Sequence, residues 1–269
     1  MMRALWTAST GMKAQQFNVD VISNNLANVN TTGYKKDTAE FKDLIYETLN
    51  RAYVLGDSGR PVNLQVGHGV ETVATVKSNT TGNFEKTDDT LSFAIEGDAF
   101  FTIKAPTGET YYTRDGAFKL SISSDQGNNK LTTTDGLPVL DSNGNEIVFN
   151  SDVDINTLNV GATGDISYYK NGSTIPLSQS IGLVKFPNRN GLESVGANFF
   201  KQNTASGAPV PDSQLGVKSV LKQGFLESSN VQVVEEMVRL ITAQRAYELN
   251  SKAIQTADDM LQMANNLRK

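Results

Sequence analysis

Asp88, Asp89, Glu96, Asp98 and Asp115 fall close together in the chain, and clustered carboxylates of this kind serve glycoside hydrolysis or calcium binding. Their order fits no EF-hand loop. Acids beside glycine, as in Asp115-Gly116, are commonly partners of their own turn. His68 is the single histidine and stands between Gly67 and Gly69, where a general base would need a nucleophile or a second histidine beside it. Neither is present in the pattern. The run Val66-Gly67-His68-Gly69-Val70 begins like a phosphate loop but lacks the third glycine, the Gly-Lys-Thr and the helical pattern that should follow. With no cysteine, disulfides, thiolate nucleophiles and most zinc sites drop out together. The Asn-x-Ser/Thr triplets at Asn30, Asn79 and Asn171 are short enough to arise by chance. No catalytic, cofactor-binding or metal-ligating residue is expected, and no enzyme. A carboxylate hydrolase acting on cell-wall polymer, the rival reading, would require a cleft with two opposed acids.

The elements that would have to carry any function are helical at both ends and β-type between. Apolar residues from Leu5 to Val29 recur at helical spacing, and a similar pattern runs from Val231 to Leu267. The first helix is expected to end near Asn30-Thr31-Thr32-Gly33, with Gly33 in a left-handed conformation. The second is announced by Ser229-Asn230-Val231-Gln232, an S-x-x-Q capping box, with Glu235 and Glu236 following. Residues 37–50 read as a short helix or an extended arm, and the breaker-rich 56–69 as a loop or long hairpin excursion able to reach a neighbour. Strands are expected over 70–76, 91–95, 100–104, 111–114, 117–122, 130–133, 146–149 and 180–186, and 217–225 is expected to return along the arm. Turn pairs such as Asp135-Gly136, Asn143-Gly144, Asn171-Gly172 and Asn190-Gly191 separate them, and 123–129 reads as a small extra hairpin.

The fold class is therefore α+β: terminal helices forming a coiled-coil-like domain, a central mostly antiparallel β-domain and an extended β-arm. The boundaries expected are 1–33 with 228–269 for the helices, 34–88 with 212–227 for the arm including an insertion at 46–69, and 89–211 for the β-domain. A helical hairpin within one chain would bury a single seam and leave Trp6, Phe17 and Val21 of the first helix off it, so burial is expected between copies. The residues expected to pack between subunits are Leu5, Met12, Val19, Ile22, Leu26, Val29, Val234, Val238, Ile241, Leu249, Met260 and Leu267.

Net charge is -5 with both signs mixed, so the basic footprint of a nucleic-acid binder is missing. No run approaches the roughly 18 apolar residues of a membrane span, and no membrane insertion is expected. Thr7, Ser9, Thr10 and Lys13 interrupt the first apolar stretch, and no cleavable signal peptide is expected.

The string Ser23-Asn24-Asn25-Leu26-Ala27-Asn28-Val29-Asn30-Thr31-Thr32-Gly33-Tyr34-Lys35 resembles the N-terminal signature of bacterial flagellar rod and hook proteins. Gln244-Arg245-Ala246-Tyr247-Glu248-Leu249-Asn250-Ser251-Lys252 resembles their closing signature. The strings Gly224-Phe225-Leu226-Glu227-Ser228-Ser229-Asn230-Val231 and Tyr112-Thr113-Arg114-Asp115-Gly116-Ala117-Phe118 match the same group. The motif positions singled out are Asn24, Asn25, Leu26, Ala27, Asn28, Thr32, Gly33, Tyr34, Arg245, Ala246, Tyr247 and Asn250.

Within that family the length and the insertion most resemble the distal-rod members, with proximal-rod or hook-like axial proteins as the alternative. The resemblance implies a structural subunit of the basal body, with both helices lining the innermost tube of a helical homopolymer around the export channel. It also implies contact with proximal-rod and hook proteins, with a rod cap and with surrounding P- and L-ring proteins. Passage through the flagellar type III export apparatus, without cofactor, is implied as well. The 46–69 insertion is expected to cross to adjacent subunits and stiffen the shaft.

Overall fold

In a computed structural model, which describes residues 2–50, 63–122, 129–150, 153–170, 173–214 and 216–266, helices stand at both ends of the chain. Helix α1 is Met2–Ala27 and α2 is Val233–Asn266. The threonines of α1 are accommodated by back-bonding: Thr7 Oγ1 donates to Arg3 O at 3.0 Å and Thr10 Oγ1 to Thr7 O at 2.9 Å. The helix stops before the expected glycine because Asn28 opens a turn, its carbonyl accepting from Thr31 N at 3.2 Å. Gly33 does take a left-handed conformation, with φ +67°, but six residues beyond the helix. Helix α2 starts at Val233, later than the capping box suggested. Ser229 Oγ instead accepts from Val231 N at 3.3 Å, and Gln232 O takes the first helical bond from Glu236 N at 3.0 Å.

The chain divides into two compact units. One comprises Met1–Ala27, Asp37–Ser78 and Gln232–Lys269, the other Asn28–Lys36 and Asn79–Val231. The stretches read as an arm are thus shared out: 37–78 goes with the helices, while 34–36, 79–88 and 212–227 go with the β-unit.

In the first unit the helices run antiparallel, Asn25 meeting Glu236 and Gly11 meeting Asn250. The α2 positions Glu236, Ala243, Asn250 and Ala257 recur every seventh residue and are buried or half-buried, a coiled-coil repeat made of small and polar side chains. On α1, Gly11, Asn18 and Asn25 repeat at the same interval. Two antiparallel ribbons belong to this unit, the first of them packed against α1. Asp37–Asp43 pairs with Val70–Lys77, and Tyr46–Asn50 with Leu64–Gly67, so the stretch read as helix or arm is β. Residues 51–62, half of the expected insertion, lie outside those described.

The second unit is antiparallel throughout its described strands. Its largest sheet has six strands in the order Glu193–Gly196, Phe199–Lys201, Thr110–Thr113, Phe100–Lys104, Leu183–Lys185 and Val210–Pro211. Alternation along Phe100–Lys104 sends Phe101 into the main core with Phe93, Phe118, Leu131 and Ile147, while Phe100 joins Tyr112, Phe186 and Phe200 on the other side. Ring contacts within the second cluster are edge-on, as between Tyr112 and Phe186 at 4.8 Å. The expected Asn143-Gly144 turn is present, Gly144 having φ +83°, whereas Asn190-Gly191 belongs to a 3-10 turn, Arg189–Gly191. Asn171-Gly172 and the expected hairpin at 123–129, apart from Asn129, lie outside the described residues.

Candidate functional site

The two units differ in how they treat apolar side chains. Among the described residues the helical unit buries only Ala8, Ala14, Val21, Ile22, Ala243 and Ala257 as apolar groups. Its large ones point outward: Trp6 is 69% exposed, Val234 77% and Leu249 66%, with Met2, Met237, Val238, Ile241, Met260 and Met263 exposed as well. The strands of its ribbons add Phe41, Tyr46, Leu49, Leu64 and Val73, and Ile45 between them. An uncovered apolar surface of this kind is the mark of an association face.

Of the residues expected to pack between subunits, Ile22 is buried within the unit, and Leu5, Met12, Val19 and Leu26 are half-buried. Val234, Val238, Ile241, Leu249 and Met260 form an exposed flank of α2. Val29, half-buried, belongs to the β-unit, and Leu267 lies outside the described residues.

The N-terminal signature contributes a buried clamp. Asn25 is 1% exposed, and its carboxamide holds both main-chain groups of Asp37: Nδ2 donates to Asp37 O at 2.8 Å, and Oδ1 accepts from Asp37 N at 2.8 Å. The same Nδ2 lies 3.4 Å from Glu236 Oε2, so one side chain ties α1, α2 and a strand. Asn24 and Ala27 are exposed. The closing signature places Asn250 where α1 passes at Gly11, Ala246 half-buried, Tyr247 partly exposed, and Arg245 on the surface 3.2 Å from Glu248.

In the β-unit the other motif strings converge. Thr32 Oγ1 donates to Asp115 Oδ1 at 2.9 Å, and Thr31 Oγ1 to Asn28 Oδ1 at 3.1 Å. Tyr34 is buried. Gly33 N donates to Glu227 O at 2.8 Å, and a Cβ on Gly33 would stand 2.7 Å from Asp115 N. At the centre, Glu227 receives Lys35 Nζ at 2.5 Å on Oε1 and Arg114 Nη1 at 3.1 Å on Oε2, all three side chains being nearly fully buried. Gly82 N adds a bond to Oε1 at 2.9 Å. Two cations face one carboxylate, and two further donors go to carbonyls, Lys35 to Thr80 O at 2.7 Å and Arg114 to Gly97 O at 2.5 Å, while the buried Arg114 Nε has no partner. Burial pushes the Lys35 ammonium below its ordinary pKa, with Glu227 pulling back; Arg114 is shifted the same way for the same reason.

Lys35, Arg114 and Glu227 lie in three separate motif strings, and sequence reasoning gave them no role. The available signal was a charged residue inside each string. The acids 88, 89, 96, 98 and 115 do not form a catalytic pair: Asp89 binds Lys119, Glu96 binds Lys222, and Asp98 binds Arg189. His68 Nδ1 is 2.9 Å from Ile45 O, a loop contact. No group of metal-ligating side chains is found among the described residues, and no described helix is long and apolar enough to cross a membrane.

Three family models match the chain: flagella basal body rod protein over 5–35, flagellar hook protein FlgE/F/G D1 domain over 94–168, and flagellar basal body rod FlgEFG protein C-terminal over 222–267. The chain is 46% identical to the flagellar basal-body rod protein FlgG of Borreliella burgdorferi over the whole of both. It is 42% identical to that of Buchnera aphidicola from Acyrthosiphon pisum over 99% of this chain and all of the relative. Against that of Bacillus subtilis it is 36% identical over the full length of both.

Proposed function

The chain belongs to the flagellar basal-body rod protein family, and on that premise we propose that its helical unit is the polymerising part, completing its burial against sister copies. The protein is a structural component of the distal rod of the bacterial flagellar basal body, and it assembles into the flagellar axial structure with other rod and hook proteins. The observation that supports this role for the helical unit is its lack of a core: alanines, Val21 and Ile22 are inside, while Trp6, Val234, Ile241 and Leu249 are outside. The β-unit, with its two aromatic clusters, has a core of its own.

In this reading both helices line the innermost tube around the export channel, and the packing residues are Leu5, Met12, Val19, Ile22, Leu26, Val29, Val234, Val238, Ile241, Leu249, Met260 and Leu267. The function is torque transmission by a rigid shaft, without catalysis. Export by the flagellar type III apparatus, and contact with a rod cap and with P- and L-ring proteins, belong to the same proposal. Sedimentation of the unaltered chain over a range of concentrations tests it. Large species growing with concentration are expected, and a single monomeric boundary throughout would overturn it.

A further inference from the structure

Trp6, the only tryptophan, projects from the first turns of α1 and is 69% exposed, with Met2 one turn earlier at 70%. Toward the other end of the same helical hairpin, α1, the first half of α2 and the strand Asp37–Asp43 enclose a groove of about 380 Å³. Val21, Ile22 and Ala243 are its buried apolar lining, Phe41 adds to a wall, and Arg239 stands at the rim. Trp6 cannot enter its own groove. Along a straight helix at about 1.5 Å per residue, it lies roughly 14 Å from Gln15, the nearest groove residue on α1.

We propose that this groove is the seat for Trp6 of a second copy of the chain, so that successive subunits join head to tail along the helical hairpin. The inference rests on the self-assembly reading. A projecting group at one end and its receptor toward the other make a heterologous contact, which leaves a free knob and a free groove on an open chain of copies and propagates as a filament wherever the rotation between copies does not close a ring. The chemistry matches an indole. The apolar lining takes the ring body, and the carboxamides of Gln15 and Asn18 offer acceptors to the ring N–H. Arg239, 45% exposed while paired with Glu235 at 2.6 Å, keeps a guanidinium at the rim, where it can meet the ring face. The exposed valines and methionines of α2 lie along a helix flank and would need an extended partner; a groove of this size fits one large side chain.

The absence of cysteine makes the test clean. Met2→Cys and Thr242→Cys, both at exposed positions, are prepared as separate full-length chains that keep Trp6. They are assembled alone and mixed, then treated with a short bismaleimide. A covalent dimer in the mixture, and none in either chain alone, is expected, together with a blue shift of Trp6 emission as the unaltered protein assembles. Assembly with neither mixed adduct nor blue shift overturns the inference and leaves the self-assembly reading intact. A blue shift without mixed adduct places Trp6 elsewhere in the interface and overturns the groove assignment. Adducts of the Met2→Cys chain with itself would indicate knob-to-knob contact, with the same consequence. Failure to assemble at any concentration overturns both readings.

Discussion

Asn25 and Asp37 are joined by a two-point bond in which one carboxamide replaces a β-ladder partner, donating to Asp37 O and accepting from Asp37 N at 2.8 Å each. Asn25→Ala strips both bonds from the strand's first residue. A loss of about 1–3 kcal/mol is expected, as for polar groups left without partners. Thermal unfolding checks the size, and hydrogen exchange at the Asp37 amide checks the place. Asn25→Asp should be worse than alanine, because it sets a second carboxylate beside Glu236.

The buried Lys35–Glu227–Arg114 cluster predicts an asymmetric response. Glu227→Gln leaves two desolvated cations without their counter-charge and is expected to destabilise by about 3–5 kcal/mol. Lys35→Met removes the surplus cation and keeps the Arg114 pair, so its loss should be smaller. Urea unfolding of the two full-length variants decides; equal losses would contradict the account.

Acid should loosen the β-unit in a definite window. Lys130 and Lys104 hold the Glu146 carboxyl below its ordinary value of 4.5. For Asp141, burial acts upward but is outweighed by the N–H groups of Ser180 and Ser142; for Asp212, burial is outweighed by Lys185 and Ser219. A folded-state pKa below the unfolded one means stability that is fully present above the unfolded value and lost as pH falls through the folded one. Denaturant midpoints should decline from about pH 4.5 downward, and Glu146→Gln should flatten the upper part of that slope.

Leu249→Asp and Ile22→Asp should separate assembly from folding. Leu249 is on the exposed flank of α2, so its charge is expected to abolish large species in sedimentation with little change in melting temperature. Ile22 is 4% exposed, and the same charge there should unfold the helical hairpin as well, visible as lost helical circular dichroism.

Gly33 and Gly11 are expected to differ sharply on conversion to alanine. Gly33 has φ +67° and its new Cβ would press on main-chain atoms of Arg114 and Asp115, which cannot step aside. At Gly11 the nearest atom is Asn250 Nδ2 at 2.8 Å, the end of a side chain that can turn away. Gly33→Ala should lose of order 1–3 kcal/mol and Gly11→Ala markedly less, by paired thermal melts.

Helical periodicity made both helices legible, and alternation with turn pairs made much of the β-unit legible. The helix ends were less so, because Asn28 turns the chain early and Ser229 spends its hydroxyl on Val231. Large apolar residues on α2 were readily read, yet they mark its outer flank. The seam within the unit is Glu236, Ala243, Asn250 and Ala257, types that a search for greasy stripes passes over. The ionic cluster joins Lys35 to residues far along the chain, and no local spacing announces such a meeting. Short strands such as Leu158–Val160 and Phe199–Lys201 carry too few residues for alternation to show.

The sevenfold spacing of Gly11, Asn18 and Asn25 against Glu236, Ala243 and Asn250 works like a vernier. Sliding one helix by two turns would bring Glu236 opposite Asn18, another carboxamide, so the helices by themselves discriminate poorly between the two settings. Only Asn25 reaches the Asp37 main chain, and that strand therefore acts as the stop that fixes a single setting.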